Sequence, residues 1–234
     1  MRLRRLLCTT SCAGHELVRW VDQCVIGLSL CPFASDVRSR PGAMRVAVVE
    51  CATEQEVLHA ARAEIANIAL GGTRDSSGSE TALLGVKVSP ESGFLASFAE
   101  FLRVAVAVEA LCAEATTATA DAAVGDVAGG ALQLAIFHPL ARASLMEHSK
   151  PLAAMMAEME PAPSTAAPED LAIRSPLPVL HFLRTSDVTA AVEGFGSAES
   201  IPQRNRRRIE ALARRGQLTE FERCLGPSSL PGVL

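Results

Sequence analysis

Leu17, Val18, Val21, Val25 and Leu28 recur at helical spacing and predict an amphipathic helix over residues 15–30. Pro32 ends it, because proline lacks a backbone donor and restricts the residue before it. A valine-rich run over residues 44–50 predicts a strand, and Thr53-x-x-Glu56 is a capping box whose helix runs to Gly71-Gly72. Residues 71–80 are a polar loop, and residues 82–88 predict a second strand. Ser89-Pro90-Glu91 reads as a helix start, with serine as cap, proline at the first position and an acid on the positive dipole end; that helix reaches about residue 113.

The alanine-, threonine- and glycine-rich residues 115–130 predict a loose insertion. A third strand spans residues 131–137 and stops at His138-Pro139. A helix over 145–159 and a linker over 160–168 follow. Residues 177–184 predict a fourth strand, and Ser186-Asp187 caps a short helix closed by Gly194. Ser200-x-x-Gln203 opens a last helix to about Arg215, ended by Gly216. Strands alternating with helices predict an α/β fold, a mixed or parallel sheet of about four strands covered by helices. One domain is expected over residues 15–216, with insertions near 71–80, 115–130 and 140–172, and a C-terminal tail over 217–234.

With 49% apolar and 21% charged residues the chain can bury a real core, although much of the apolar share is alanine. The net charge of −4 argues against nucleic-acid binding, and no apolar run nears the ~18 residues of a membrane helix. Seven cysteines at irregular spacing suit reduced thiols and an intracellular setting. Residues 1–14 carry Arg2, Arg4 and Arg5 and no acid, which fits either a basic tail or a mitochondrial targeting segment. The location is thus expected to be cytoplasmic or mitochondrial.

Cys31 is the first candidate for chemistry. Seven residues from Cys24, it would share that residue's face of the first helix. A thiol at a helix C-terminus meets the negative dipole end, which favours the neutral form; a new helix starting at Pro32 would reverse that sign. Packing as a small hydrophobe is the plainer role of a free cysteine. His138 ends a strand, where ligands collect in open α/β sheets. His181 lies in Pro178-Val179-Leu180-His181-Phe182-Leu183-Arg184; on a strand it shares a face with Val179 and Leu183 while Arg184 points away, and on a helix it shares a face with Arg184. Arg174-Ser175-Pro176 could hold a phosphate or carboxylate, or be a surface turn. The basic stretch from Arg204 to Arg208, with Arg214 and Arg215, reads as a solvated helix face, on which Asn205 either enters a site or assists the cap. His15, His59 and His148 receive no role. There is no phosphate-binding glycine loop, nucleophile elbow, Cys-x-x-Cys or His-Glu-x-x-His.

Four blocks carry a resemblance. Trp20 and the run Val25-Ile26-Gly27-Leu28-Ser29-Leu30-Cys31-Pro32-Phe33-Ala34 come first, followed by Gln133-Leu134-Ala135-Ile136-Phe137-His138-Pro139. Arg174 to Arg184 and Ile201-Pro202-Gln203-Arg204-Asn205 complete the set. In this order, from Trp20 to about Gly216, the chain resembles the bacterial domain-of-unknown-function family 1415. It departs from that family at Leu140-Ala141, where members tend to carry an Asp-Tyr pair, and at Ile173, where they tend to carry asparagine. The resemblance implies a shared fold and a shared site, with no activity attached.

The leading expectation is an enzyme of unassigned reaction in which Cys31, His138, Arg174, His181 and Arg184 gather in one pocket, with Ser175 beside Arg174 and Asn205 at the edge. Cys31 would be the nucleophile, His138 or His181 the base, and the arginines would hold a small anionic molecule. A binding or scaffold module whose same residues pin loops is the alternative. A further one is a zinc protein using Cys31, His138 and His181 with an open fourth position, a thin set without a carboxylate. No cofactor and no oligomeric state is indicated.

Overall fold

The computed structural model describes residues 7–8, 12–70, 79–88, 91–122, 131–142, 168–193 and 200–225. The elements are β1 (Leu7–Cys8), α1 (Cys12–Trp20) continued by a π-helical segment (Val21–Ile26), α2 (Ala34–Ser39), β2 (Met44–Cys51), α3 (Glu54–Leu70) and β3 (Thr81–Val88). Then come α4 (Phe98–Ala122), β4 (Leu132–Phe137), a 3-10 turn (Pro168–Ile173), β5 (Val179–Arg184), α5 (Thr185–Glu193), α6 (Ser200–Arg214) and α7 (Leu218–Leu225).

The sheet order is β1-β2-β3-β5-β4. β2 and β3 run parallel and every other pairing is antiparallel, so the expected α/β sheet is mixed: four long strands with a two-residue edge piece. Alternation of side chains along the strands gives the sheet two covered faces. Ala47, Val49, Ala82, Leu84, Leu180 and Phe182 pack with Val57 and Ile68 of α3 and Phe101 and Val108 of α4. On the other face Val48, Leu83 and Val179 pack with Leu17 and Trp20 of α1, Ile209 of α6 and Leu225 of α7. α1 approaches closely because Gly85 has no side chain: a Cβ there would lie 2.5 Å from Leu177 Cδ1 and 3.0 Å from Leu17 Cδ2. Among the described residues no helix is long and apolar enough to cross a membrane.

Several expectations change. The first helix begins at Cys12 and ends at Ile26, in a turn where Ser29 takes φ 49°. Cys24 is buried on this helix while Cys31 lies beyond it, so the two thiols share no helical face. Ser89 and Pro90 lie outside the described residues, and the long helix starts only at Phe98. Its cap is Ser97, whose Oγ accepts the Glu100 N–H at 3.2 Å, while Glu100 Oε2 accepts the Leu95 N–H at 2.9 Å. Residues 115–122 of the alanine-rich stretch expected to be loose instead prolong α4 to Ala122, as the high helix propensity of alanine allows, and residues 123–130 lie outside the described residues. α7 forms within the expected tail, and its Leu225 is fully buried. The helix expected over 145–159 and the linker after it up to residue 167 lie outside the described residues, as do residues 71–78.

Candidate functional site

The parallel pair β2–β3 delivers its carboxyl ends to the edge of the sheet where β4 finishes and β5 begins. A crevice of about 600 Å³ lies there, in the position where α/β sheets bind ligands. Val88, Leu95, Leu140 and Leu177 give it apolar walls, closed on one side by Pro176 and Pro178. Its polar lining comes from Cys12 and Glu16 of α1, Glu50 of β2, Lys87 of β3, and His138. Glu50 and Lys87 are partners in the strand register, and Lys87 Nζ lies 3.7 Å from Glu50 Oε2. The Cys12 thiol donates to Glu16 Oε1 at 3.9 Å.

His138 is 1% exposed. Its Nδ1 accepts the Leu140 N–H at 3.0 Å, so the ring proton sits on Nε2, which donates to the Leu95 carbonyl at 3.0 Å. The ring stacks on Phe101 at 5.1 Å and tilts against Phe98 at 5.6 Å. Burial drives its pKa down to about 4, the Leu95 hydrogen bond opposes that shift, and the Arg174 charge adds to it. His138 thus holds two wall segments of the crevice, one of them a strained turn in which Leu95 has φ 63°.

Arg174 and Ser175 lie at the same end. Arg174 Nε donates to the Ala141 carbonyl at 3.3 Å, and the His138 N–H donates to the Ile173 carbonyl at 3.4 Å, tying the two blocks together. Burial lowers the Arg174 pKa, Asp170 opposes that, and Arg142 adds to it. The Ser175 hydroxyl donates to the Leu177 carbonyl at 2.6 Å.

The other expected site residues lie elsewhere. Arg184 is opposite Leu132, at the far end of the strand pair from Phe137 and His138, roughly 17 Å away at the ordinary rise of a strand. There its guanidinium donates to the carbonyls of Ile68 at 3.1 Å and Ser79 at 3.3 Å. His181 is on a strand, paired with Leu83 and Ala135. The Thr81 hydroxyl donates to the Phe182 carbonyl at 2.8 Å, so its oxygen accepts from His181 Nε2 at 2.6 Å. Burial lowers the His181 pKa to about 4.

Cys31 follows the π-helical segment and is half-buried. The carbonyls just before it are held by α6: Asn205 Nδ2 donates to Leu30 at 2.8 Å, Arg204 to Ser29 at 2.9 Å, and Arg208 to Leu28 at 2.9 Å and Ser29 at 2.8 Å. These cations meet the negative end of a helix, a favourable arrangement. Burial and Arg208 lower the Arg204 pKa while Cys31 raises it. Two arginines of the basic stretch, Arg204 and Arg208, therefore also work as a loop clamp.

The expected single pocket is thus divided among four settings. His138, Arg174 and Ser175 come together beside the crevice, Cys31 follows the turn whose Leu30 carbonyl Asn205 of α6 holds, and His181 and Arg184 stand apart in the sheet. Neither ring nitrogen of His138 is left for Cys31. The zinc alternative fails on the same geometry, and among the described residues no three His, Cys, Asp or Glu side chains converge for a metal. Glu50 and Lys87 were missed by sequence reasoning, although their place next to last in two adjacent strands was a signal.

No curated protein and no solved structure matches the chain. The family described as "Protein of unknown function (DUF1415)" matches residues 13–218, which include β2 to β5 and all of the crevice lining except Cys12, and the chain belongs to that family.

Proposed function

We propose that this protein binds a small molecule in the crevice beyond β2 and β3, with Lys87 meeting an anionic group of the ligand. The observation that carries the reading is the crevice itself. Its volume of about 600 Å³ suits a small-molecule site, and it combines apolar walls with a few charged groups. His138, Arg174 and Ser175 would serve by fixing the walls. A Cys31–His138 nucleophile pair is disfavoured because both His138 nitrogens are committed to backbone groups.

The test is amide NMR of the full chain titrated with 3-phenylpropanoate, an apolar body with one carboxylate. Shifts should concentrate around Glu50, Lys87, Leu95 and Leu140. Ala96→Trp, at an exposed lining position, should abolish them while Cys31→Ala leaves them unchanged. Shifts centred on Cys31 and Asn205, or none at all, would sink the reading.

A further inference from the structure

Resting on that reading, we infer that the ligand is amphoteric: an apolar body bearing an ammonium and a carboxylate close together, as in an apolar α-amino acid. The Glu50–Lys87 pair is the reason. The two residues are register partners on the parallel strands, and their charged heads sit 3.7 Å apart with side chains 36% and 54% exposed. That separation exceeds a hydrogen bond, so each head keeps donors or acceptors for a third group. The crevice therefore presents a carboxylate and an ammonium side by side beside an apolar body of Val88, Leu95, Leu140 and Leu177.

A ligand with a single carboxylate satisfies Lys87 but sits against Glu50, with Glu16 also on the wall. A ligand with a single ammonium satisfies Glu50 but faces Lys87. A zwitterion with adjacent charges places each one against its opposite, so the four heads alternate in sign. Because the lining carries two carboxylates and one ammonium, the ligand's ammonium contributes more than its carboxylate.

The probes are L-phenylalanine, 2-phenylethylamine, 3-phenylpropanoate and 2-phenylethanol, which share an aromatic body and differ in charge. Calorimetric titration of the full chain should rank phenylalanine first and 2-phenylethylamine second, with phenylalanine about tenfold tighter than the phenylethanol. Glu50→Gln should bring phenylalanine down to the level of the phenylpropanoate. Lys87→Met should bring it down to the level of the amine. Both sites are exposed strand-end positions, so the variants are expected to fold, and far-ultraviolet circular dichroism checks that. If phenylethanol or phenylpropanoate binds in the crevice as tightly as phenylalanine, the inference is overturned while the binding reading stands. If phenylpropanoate gives no shifts in the crevice, or none of the four binds, the binding reading falls and takes the inference with it.

Discussion

Replacing His138 by alanine should destabilise the protein by about 3–5 kcal/mol, which follows from what the ring touches. The side chain is 1% exposed and supplies one donor and one acceptor. Leu95 is fully buried, so its carbonyl would lose its partner with little access to water, at a cost of about 1–3 kcal/mol. The Leu140 N–H is half-buried and would recover part of its bond from solvent. The vacated space beside Phe98 and Phe101 adds about 1–2 kcal/mol. Urea unfolding at neutral pH, read as a shift in midpoint at constant slope, measures the sum. Two further substitutions test the ring's protonation. Glutamine can reproduce the Nε2 donor to Leu95, whereas asparagine can reproduce only the Nδ1 acceptor for Leu140, so His138→Gln should lose less than His138→Asn. An alanine variant within about 1 kcal/mol of the parent, or asparagine outperforming glutamine, would refute the argument.

Stability should also fall in acid through His138 and His181. His138 and His181 titrate near 4 in the folded chain against 6.5 when unfolded, so the unfolded state binds more protons between those values. Their contribution is complete above pH ~6.5 and is lost as pH falls toward 4, by up to about 3 kcal/mol for each. Unfolding midpoints that stay flat from pH 7 to 4.5, or that keep the same slope in His138→Gln, would contradict this. Among the described cysteines, Cys12 and Cys31 should react with iodoacetamide in the native protein. Cys24, Cys51 and Cys112 should not, since all three are buried and burial pushes the Cys51 and Cys112 thiols to about 12. Peptide mapping reads this, and labelling of Cys51 at the rate of Cys31 would count against it. Gly85→Ala should cost about 1–3 kcal/mol by overpacking against Leu177 and Leu17, measured as a drop in thermal midpoint; an unchanged midpoint would mean that α1 is not held close to the sheet.

Much of the fold was legible because its signals are local. Apolar spacing marked α1, α3 and the four long strands, and capping boxes marked α3 and α6. The misreadings have local causes too. Ser97-x-x-Glu100 is as good a cap as Ser89-Pro90-Glu91, and only the turn around Leu95 decides between them. Low complexity in residues 115–122 suggested looseness, yet alanine favours helix wherever a helix is already running. The site was harder to read. An arginine or histidine looks the same in a sequence whether it serves a ligand or a carbonyl far away along the chain, because the partner is fixed by tertiary contact. Arg184 found its partners at Ile68 and Ser79, and nothing near it in the chain announced them.

That indistinguishability also changes how the four sequence blocks should be understood. Their polar residues suggested a common site, on the ground that packing alone does not ask for arginine, histidine and asparagine. The hydrogen bonds supply another reason. The Cys31 block includes the turn beyond the π-helical segment, whose carbonyls at Leu28, Ser29 and Leu30 take donors from Arg208, Arg204 and Asn205. The His138 block ends β4 in a loop whose groups at Leu140 and Ala141 are satisfied by His138 itself and by Arg174, and His138 also reaches the Leu95 carbonyl in the turn before α4. In both places side chains of the blocks supply partners to backbone groups that would otherwise be orphaned, so these polar residues have a role even without a ligand. What such an arrangement leaves over is the informative part. Glu50, Lys87, Glu16 and Cys12 lie in none of the four blocks, yet they supply the polar lining of the crevice together with His138. On the binding reading proposed above, ligand recognition is therefore to be sought outside the blocks, at Glu50 and Lys87.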